Sequence, residues 1–470
     1  MDFKINLRKL SVISLYLLTI LFIFLILNVI SEMSYDEWLI IINILILSVL
    51  LIQLVFIKVL KYEFFSISVL FLLFSYVFHL SYQFLLLIDF DFGGMSYAIP
   101  TTRYGNDVYR EAVEYSLKSI MMLFLGMMVL MPHHSKREII SVDNSDSNKF
   151  NKILGIILII ISLPVNVYIL VIKIQGMIAG GYVGVIENSV GVLPSYLSNL
   201  LLPGVFLLLV SIKNNIKLVR LIAVAFIFYT FLGTFAGQRA YTILNIILFL
   251  YLYFNSIEKP KFKTIIYSVI AGYFTLSWFI VIRNNRAEGL SISSLFEIFN
   301  LENSVILNTF SELGFTINIV CITLSQEVNH IFGGQVLYSI LTIIPKVSEL
   351  FSEFNNYNIY NAFDLSRYGS SYIGDFNFDF GNVGIFISAI YGLIIQKLNN
   401  TIKRLLQEGK YFKVALILPL ILELLFTVRS GTYKLLRIFI WTSMIILIIK
   451  LNLTLIWKGG KNNYANKKAR

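Results

Sequence analysis

Residues 10–30 read LSVISLYLLTILFIFLILNVI, without one charged side chain. A helix rises about 1.5 Å per residue, so such a run covers the roughly 30 Å of a bilayer's hydrocarbon core. Lys4, Arg8 and Lys9 precede it as in a signal peptide, but the run is too long and no small-x-small site stands ahead of Ser31. A retained membrane anchor is therefore expected. Walking outward with the same template gives eleven further spans, at about 38–60, 64–88, 114–132, 152–174, 196–212, 217–236, 240–256, 264–282, 381–398, 412–428 and 435–457. The expected fold is all-α, a polytopic bundle of about twelve transmembrane helices.

The whole composition agrees. Of 470 residues 57% are hydrophobic and 14% charged, and the mean hydropathy is +0.78. Soluble domains carry about 25% charged residues, so an ordinary cytosolic enzyme is excluded, as is a disordered chain. A single cysteine, Cys321, rules out an intrachain disulfide and a thiolate metal cluster.

The net charge of +11 raises the question of nucleic acid, which the placement of the charges answers. With the N-terminus inside, the cytoplasmic segments take 26 of the 38 Lys+Arg but only 7 of the 27 Asp+Glu. The other segments hold 12 Lys+Arg against 20 Asp+Glu. This is the positive-inside asymmetry, and a missed span would invert every later loop and spoil it. The basicity is topological, and no nucleic-acid partner is expected. The cytoplasmic connections, such as Lys259-Pro-Lys-Phe-Lys263, are short, and none carries a phosphate loop. Both termini are expected inside, and any chemistry in the bilayer or beyond it.

The outer side is built differently. The chain divides into a membrane domain at 1–282, an external loop domain with amphipathic helices at 283–380, a second membrane part at 381–457 and a basic tail at 458–470. Within the loop, 305–324 and 336–344 are apolar but interrupted by Asn308, Glu312 and Asn318. Outer arginines are few. Arg239 opens the eighth span, Arg283 and Arg286 close the ninth, Arg367 lies in the large loop and Arg429 ends the eleventh span. A guanidinium is always charged and offers paired donors, which suits the diphosphate of a lipid-linked substrate. Snorkelling at helix ends is the plainer alternative.

Glu312, His330 and Asp375 are candidates for moving a proton, with Asp379 close by. Glu423, inside a span, should face a cavity or a partner, and His79 reads as a satisfied neutral histidine. Asp89-Phe-Asp91 has the spacing of a metal-binding pair, but no histidine cluster accompanies it, so neither metal nor cofactor is expected. Tyrosine, phenylalanine and asparagine crowd 355–378, a composition that suits carbohydrate and interface anchoring alike.

In this order the elements resemble the bacterial O-antigen and capsule repeat-unit polymerases, the Wzy type. Gly237-Gln-Arg239 looks like the family's Gly-x-Arg element. Ser311-Glu312-Leu-Gly314, Gly333-Gly334 and Ile344-Pro345 look like its loop pattern. Gly374-Asp375 and Phe380-Gly381 look like its acidic element before a span, with Asp375 where Glu is common and Asp379 where Asn often stands. The resemblance implies a membrane-embedded glycosyltransferase of lipopolysaccharide or capsule synthesis. Such an enzyme transfers a growing chain from undecaprenyl diphosphate to the non-reducing end of a new lipid-linked repeat unit on the outer face of the cytoplasmic membrane. No nucleotide is needed. Arg239, Arg283, Arg286, Arg367 and Arg429 would hold the diphosphate, and Glu312, His330 or Asp375 would deprotonate the acceptor. A chain-length regulator and a flippase would be its protein partners. A flippase for the same lipid-linked sugars and an O-antigen ligase are the alternative readings.

Overall fold

The computed structural model describes residues 7–90, 99–132, 145–188, 190–234, 239–258, 305–326, 332–344, 347, 352–363 and 369–468. Among these residues there are helices and no strands. The ninth expected span, Asp91, Arg283, Arg286, His330 and Arg367 lie outside the described residues.

The first half contains α1 (Leu7–Ile30), α2 (Tyr35–Val59), α3 (Ile67–Leu80), α4 (Tyr82–Leu87), α5 (Pro100–Tyr104) and α6 (Asn106–Leu130). Then come α7 (Ser145–Glu187), α8 (Val192–Ser198), α9 (Leu201–Ser211), α10 (Ile216–Leu232) and α11 (Arg239–Ser256). The second half holds α12 (Val305–Gly314), α13 (Ile317–Ser325), α14 (Gly334–Leu341) and α15 (Ile359–Ala362). It ends with α16 (Tyr372–Phe380), α17 (Gly384–Gln407), α18 (Tyr411–Phe426) and α19 (Leu435–Lys468). Eight helical stretches of the described residues are long and apolar enough to cross a membrane, and the shorter α3 and the segment Ala240–Ser256 are apolar too. The chain is a multi-pass membrane protein.

One of the eight is Ile306–Ser325, which the sequence reading puts in the external loop. It is broken at Phe315-Thr316, and Gly314 lies against Ser81 and Tyr82, where α3 gives way to α4. Ser81 there donates to the carbonyl of Phe310 at 3.0 Å. Residues 372–380, also read as external, form a buried helix that leads into α17.

In lipid, helices gain little from hiding apolar surface from one another, so close packing and internal hydrogen bonds hold the bundle. Gly126 of α6 and Gly392 of α17 lie so near the facing backbone that an added Cβ would overlap the carbonyls of Ala389 and Leu123. Gly155 and Gly204 bring α7 and α9 together in the same way. Gln53 ties three helices into one satisfied network, donating to Tyr16 at 2.8 Å and accepting from Tyr76 at 2.9 Å. Pairing Tyr115 with Gly381 and Asn400 with Leu130 makes α6 and α17 parallel.

Candidate active site

Antiparallel neighbours α17 and α18 differ in length, and the difference sets where α16 packs. Helix α17 has 24 residues and α18 only 16, so α18 stops about 12 Å short of the start of α17. The Tyr391 and Thr427 hydroxyls, 2.9 Å apart, show the level at which it stops. Helix α16 descends to meet that end. The Tyr372 N–H donates to the carbonyl of Thr427 at 2.8 Å and that of Ser370 to the carbonyl of Arg429 at 3.4 Å. Ser371 caps α16 by accepting from the Gly374 N–H at 3.0 Å. Tyr372 stacks on Tyr391 with centroids 5.6 Å apart, and Phe376 meets the same ring edge-on. Residues 427–434 thus form a floor on which the start of α16 is seated.

Two buried aspartates fix this floor. Asp375, 1% exposed, accepts from the Ser370 hydroxyl at 2.7 Å, the Thr432 N–H at 2.6 Å and the Thr432 hydroxyl at 2.8 Å. Asp379 receives the Gln335 N–H with both oxygens, at 2.9 and 3.1 Å, at the start of α14. A carboxylate is favoured there by the unpaired N–H groups and by the helix dipole. Gln335 in turn accepts from the Ile359 N–H at 3.1 Å, so α14, α15 and α16 are tied together.

Cations gather around the floor. Arg429 is half-buried and donates to the Thr316 hydroxyl at 3.3 Å. It lies beside Gly369, whose φ of +83° suits glycine and where a Cβ would come 2.9 Å from the Arg429 carbonyl. Lys434 sits 5.2 Å from the Tyr433 ring centre and 5.7 Å from that of Tyr360. Lys173, from the far part of α7, is within electrostatic reach of Lys434. Arg437, one turn into α19, has a buried Nε without a hydrogen bond. Among the described residues Lys173, Lys434 and Arg437 make no ion pair. Half-buried cations gathered in one place are costly inside a membrane protein, and the carboxylate within electrostatic reach of Lys434 is that of Glu423.

The model of the O-antigen polysaccharide polymerase Wzy family matches residues 11–461. The chain belongs to this family. No curated protein and no solved structure matches it. As a member of the O-antigen polymerases, it is a glycosyltransferase-like enzyme of polysaccharide biosynthesis that acts on lipid-linked oligosaccharide repeat units.

Of the site residues expected from sequence, Arg429 and Asp375 come together through Ser370 and Thr432. Glu312, partly buried on α12, stands one turn ahead of Thr316, the partner of Arg429. Arg239 begins α11, two residues before Tyr241. His79 is satisfied at one nitrogen only. Its Nδ1 lies 3.0 Å from the Ser75 carbonyl, while the buried Nε2 has no partner, and Arg429 is within electrostatic reach. Lys173, Lys434 and Arg437 were not singled out from sequence. The usable signal was present: all three are among the few cations outside the cytoplasmic segments. No group of three or more His, Cys, Asp or Glu side chains that could hold a metal occurs among the described residues.

Proposed function

We propose that this polymerase transfers the growing oligosaccharide from undecaprenyl diphosphate to the non-reducing end of a second lipid-linked repeat unit. The acceptor oxygen bonds to the anomeric carbon, the carbon–oxygen bond to diphosphate breaks, and the electron pair leaves with the diphosphate. The acceptor proton goes to a base. The single observation that supports this reading is the gathering of Arg429, Lys434, Arg437 and Lys173 on and around residues 427–434.

Each preorganised donor aimed at the departing anion contributes on the order of 3 kcal/mol in a site shielded from water. We assign that task to Arg429 with Arg239, Arg283, Arg286 and Arg367, and add Lys434, Arg437 and Lys173. Asp375 acts by position, since its carboxylate is taken up in holding Ser370 and Thr432 beside Arg429. Glu312 and His330 are kept as residues that contact the sugar chain. Both termini lie in the cytoplasm and the site opens outward from the cytoplasmic membrane, a reading supported by the asymmetry of lysine and arginine. A chain-length regulator and a flippase that supplies the substrate are its protein partners in this reading.

Polysaccharide profiling of a deletion strain tests this. Loss of a polymerase leaves single repeat units attached at the surface. Loss of a ligase or a flippase leaves none, and that profile would refute the proposal.

A further inference from the structure

Beside the cationic floor, at the same end of the bundle, lies a second feature with a different chemistry. A cavity of about 80 Å³ opens between α7, α9, α10, α11 and α18. Its wall is made of amides and hydroxyls in a part of the protein otherwise apolar: Asn166, Asn199, Tyr241, Thr242 and Asn245. Some of these groups are oriented by the protein. Tyr241 donates to the Asn199 carbonyl oxygen at 3.1 Å, Asn166 to the Ser198 carbonyl at 3.0 Å, and Thr242 to the Thr230 carbonyl at 3.3 Å. The Asn245 Oδ1, buried, has no partner. At about 10–15 Å³ per water, the cavity holds roughly half a dozen waters, the size of the hydroxyl-bearing edge of one sugar ring.

Glu423 follows a residue of the chamber wall on α18. Its neighbour Leu422 lines the wall, and the carboxylate is within electrostatic reach of Tyr241 on the chamber side and of Tyr433 and Lys434 on the floor side. It is 8% exposed, and among the described residues it accepts no hydrogen bond and makes no ion pair. Asp375 and Asp379, the other two buried acids here, are both occupied by donors. Glu423 therefore differs from them in having an acceptor to spare, and it lies between a hydroxyl-binding chamber and an anion-binding floor.

We infer that the chamber is the acceptor-sugar subsite and that Glu423 takes the proton from the attacking hydroxyl. This rests on the polymerase reading and extends it. The acceptor O–H bond breaks, its proton passes to the Glu423 carboxylate, and the oxygen's electron pair forms the bond to the anomeric carbon. The diphosphate leaves on the other side, toward Lys434 and Arg429. The amides serve binding, whereas Glu423 serves the chemical step, so their variants separate in kinetics.

The test is extension of an undecaprenyl-diphosphate-linked repeat unit by the full-length protein in liposomes, with acceptor concentration varied at fixed donor. Glu423→Gln should lower kcat 10²- to 10⁴-fold with the acceptor KM within about twofold. Glu423→Asp should recover part of the rate. Asn245→Ala removes a carbonyl that has no partner in the protein, and should raise the acceptor KM about 5- to 10-fold with kcat kept. Normal kcat in Glu423→Gln overturns the base assignment, and an unchanged acceptor KM in Asn245→Ala overturns the subsite. If Glu423→Gln fails to accumulate, Glu423→Asp and Asn245→Ala decide alone: an unchanged rate in the first or an unchanged KM in the second is a refutation. Should the wild-type chain itself not extend the substrate, it is the polymerase reading that fails.

Discussion

Removing the carboxylate of Asp375 separates a group that positions the site from one that reacts in it. Asp375→Ala leaves three donors without an acceptor, the Ser370 hydroxyl, the Thr432 hydroxyl and the Thr432 N–H. A buried polar group left unpaired costs about 1–3 kcal/mol. The two hydroxyls can rotate toward other acceptors, but the backbone N–H cannot, so a net loss of roughly 3–5 kcal/mol is expected. For a chain of this length that corresponds to a fall in melting temperature of about 5 °C, scaled from smaller domains. Asp375→Asn keeps one oxygen for Thr432 and places an amide against Ser370, whose hydroxyl can turn to accept. It gives up only the charge, roughly 1–2 kcal/mol, or about 2 °C. The assay pairs thermal unfolding of the detergent-purified protein with polysaccharide ladders from complemented deletion strains. Asp375→Ala should lose both stability and long polymer, whereas Asp375→Asn should keep most of each. An Asp375→Asn variant of wild-type stability that makes no polymer would refute the reasoning, because the carboxylate itself would then be needed for chemistry.

Other expectations follow from the same geometry. Arg429→Ala should abolish long polysaccharide while membrane levels of the protein hold, and Arg429→Lys should recover it only in part, since the paired donors are lost; ladders with quantitative immunoblots check both. Lys434→Gln or Arg437→Gln should raise the KM for the lipid-diphosphate donor several-fold yet leave thermal stability nearly unchanged, because neither cation makes an ion pair among the described residues. A stability loss with unchanged KM would argue for a structural role. Gly392→Val should sharply lower the amount of folded protein, as its Cβ cannot be accommodated against the Leu123 carbonyl; fluorescence-detected size exclusion reads this directly.

That the chain is helical and crosses a membrane many times was legible because a bilayer imposes a length and excludes charge, and residues 10–30 meet both conditions on their own. What composition could not convey is depth. Residues 412–428 read as a full crossing, yet α18 ends about 12 Å below the start of its neighbour α17, and α16 meets it at that level. Residues 372–380, with their two aspartates, read as polar loop. Those aspartates are buried because Asp375 finds Thr432, 57 positions away, and Asp379 finds Gln335, 44 positions away. No local pattern announces partners so distant in sequence. Arg429 stood out as the charge ending a span, whereas Lys434, Arg437 and Lys173 did not, and only their convergence in the folded chain distinguishes them. Glu423 stood out as a charge inside a span that should face a cavity or a partner, and its neighbour Leu422 lines the chamber.

The most direct measurement places the purified protein in liposomes with undecaprenyl-diphosphate-linked repeat units and no nucleotide. The account predicts a ladder of longer lipid-linked chains, with one undecaprenyl diphosphate released per joining. Repeat units that cross the bilayer and stay one unit long would contradict it.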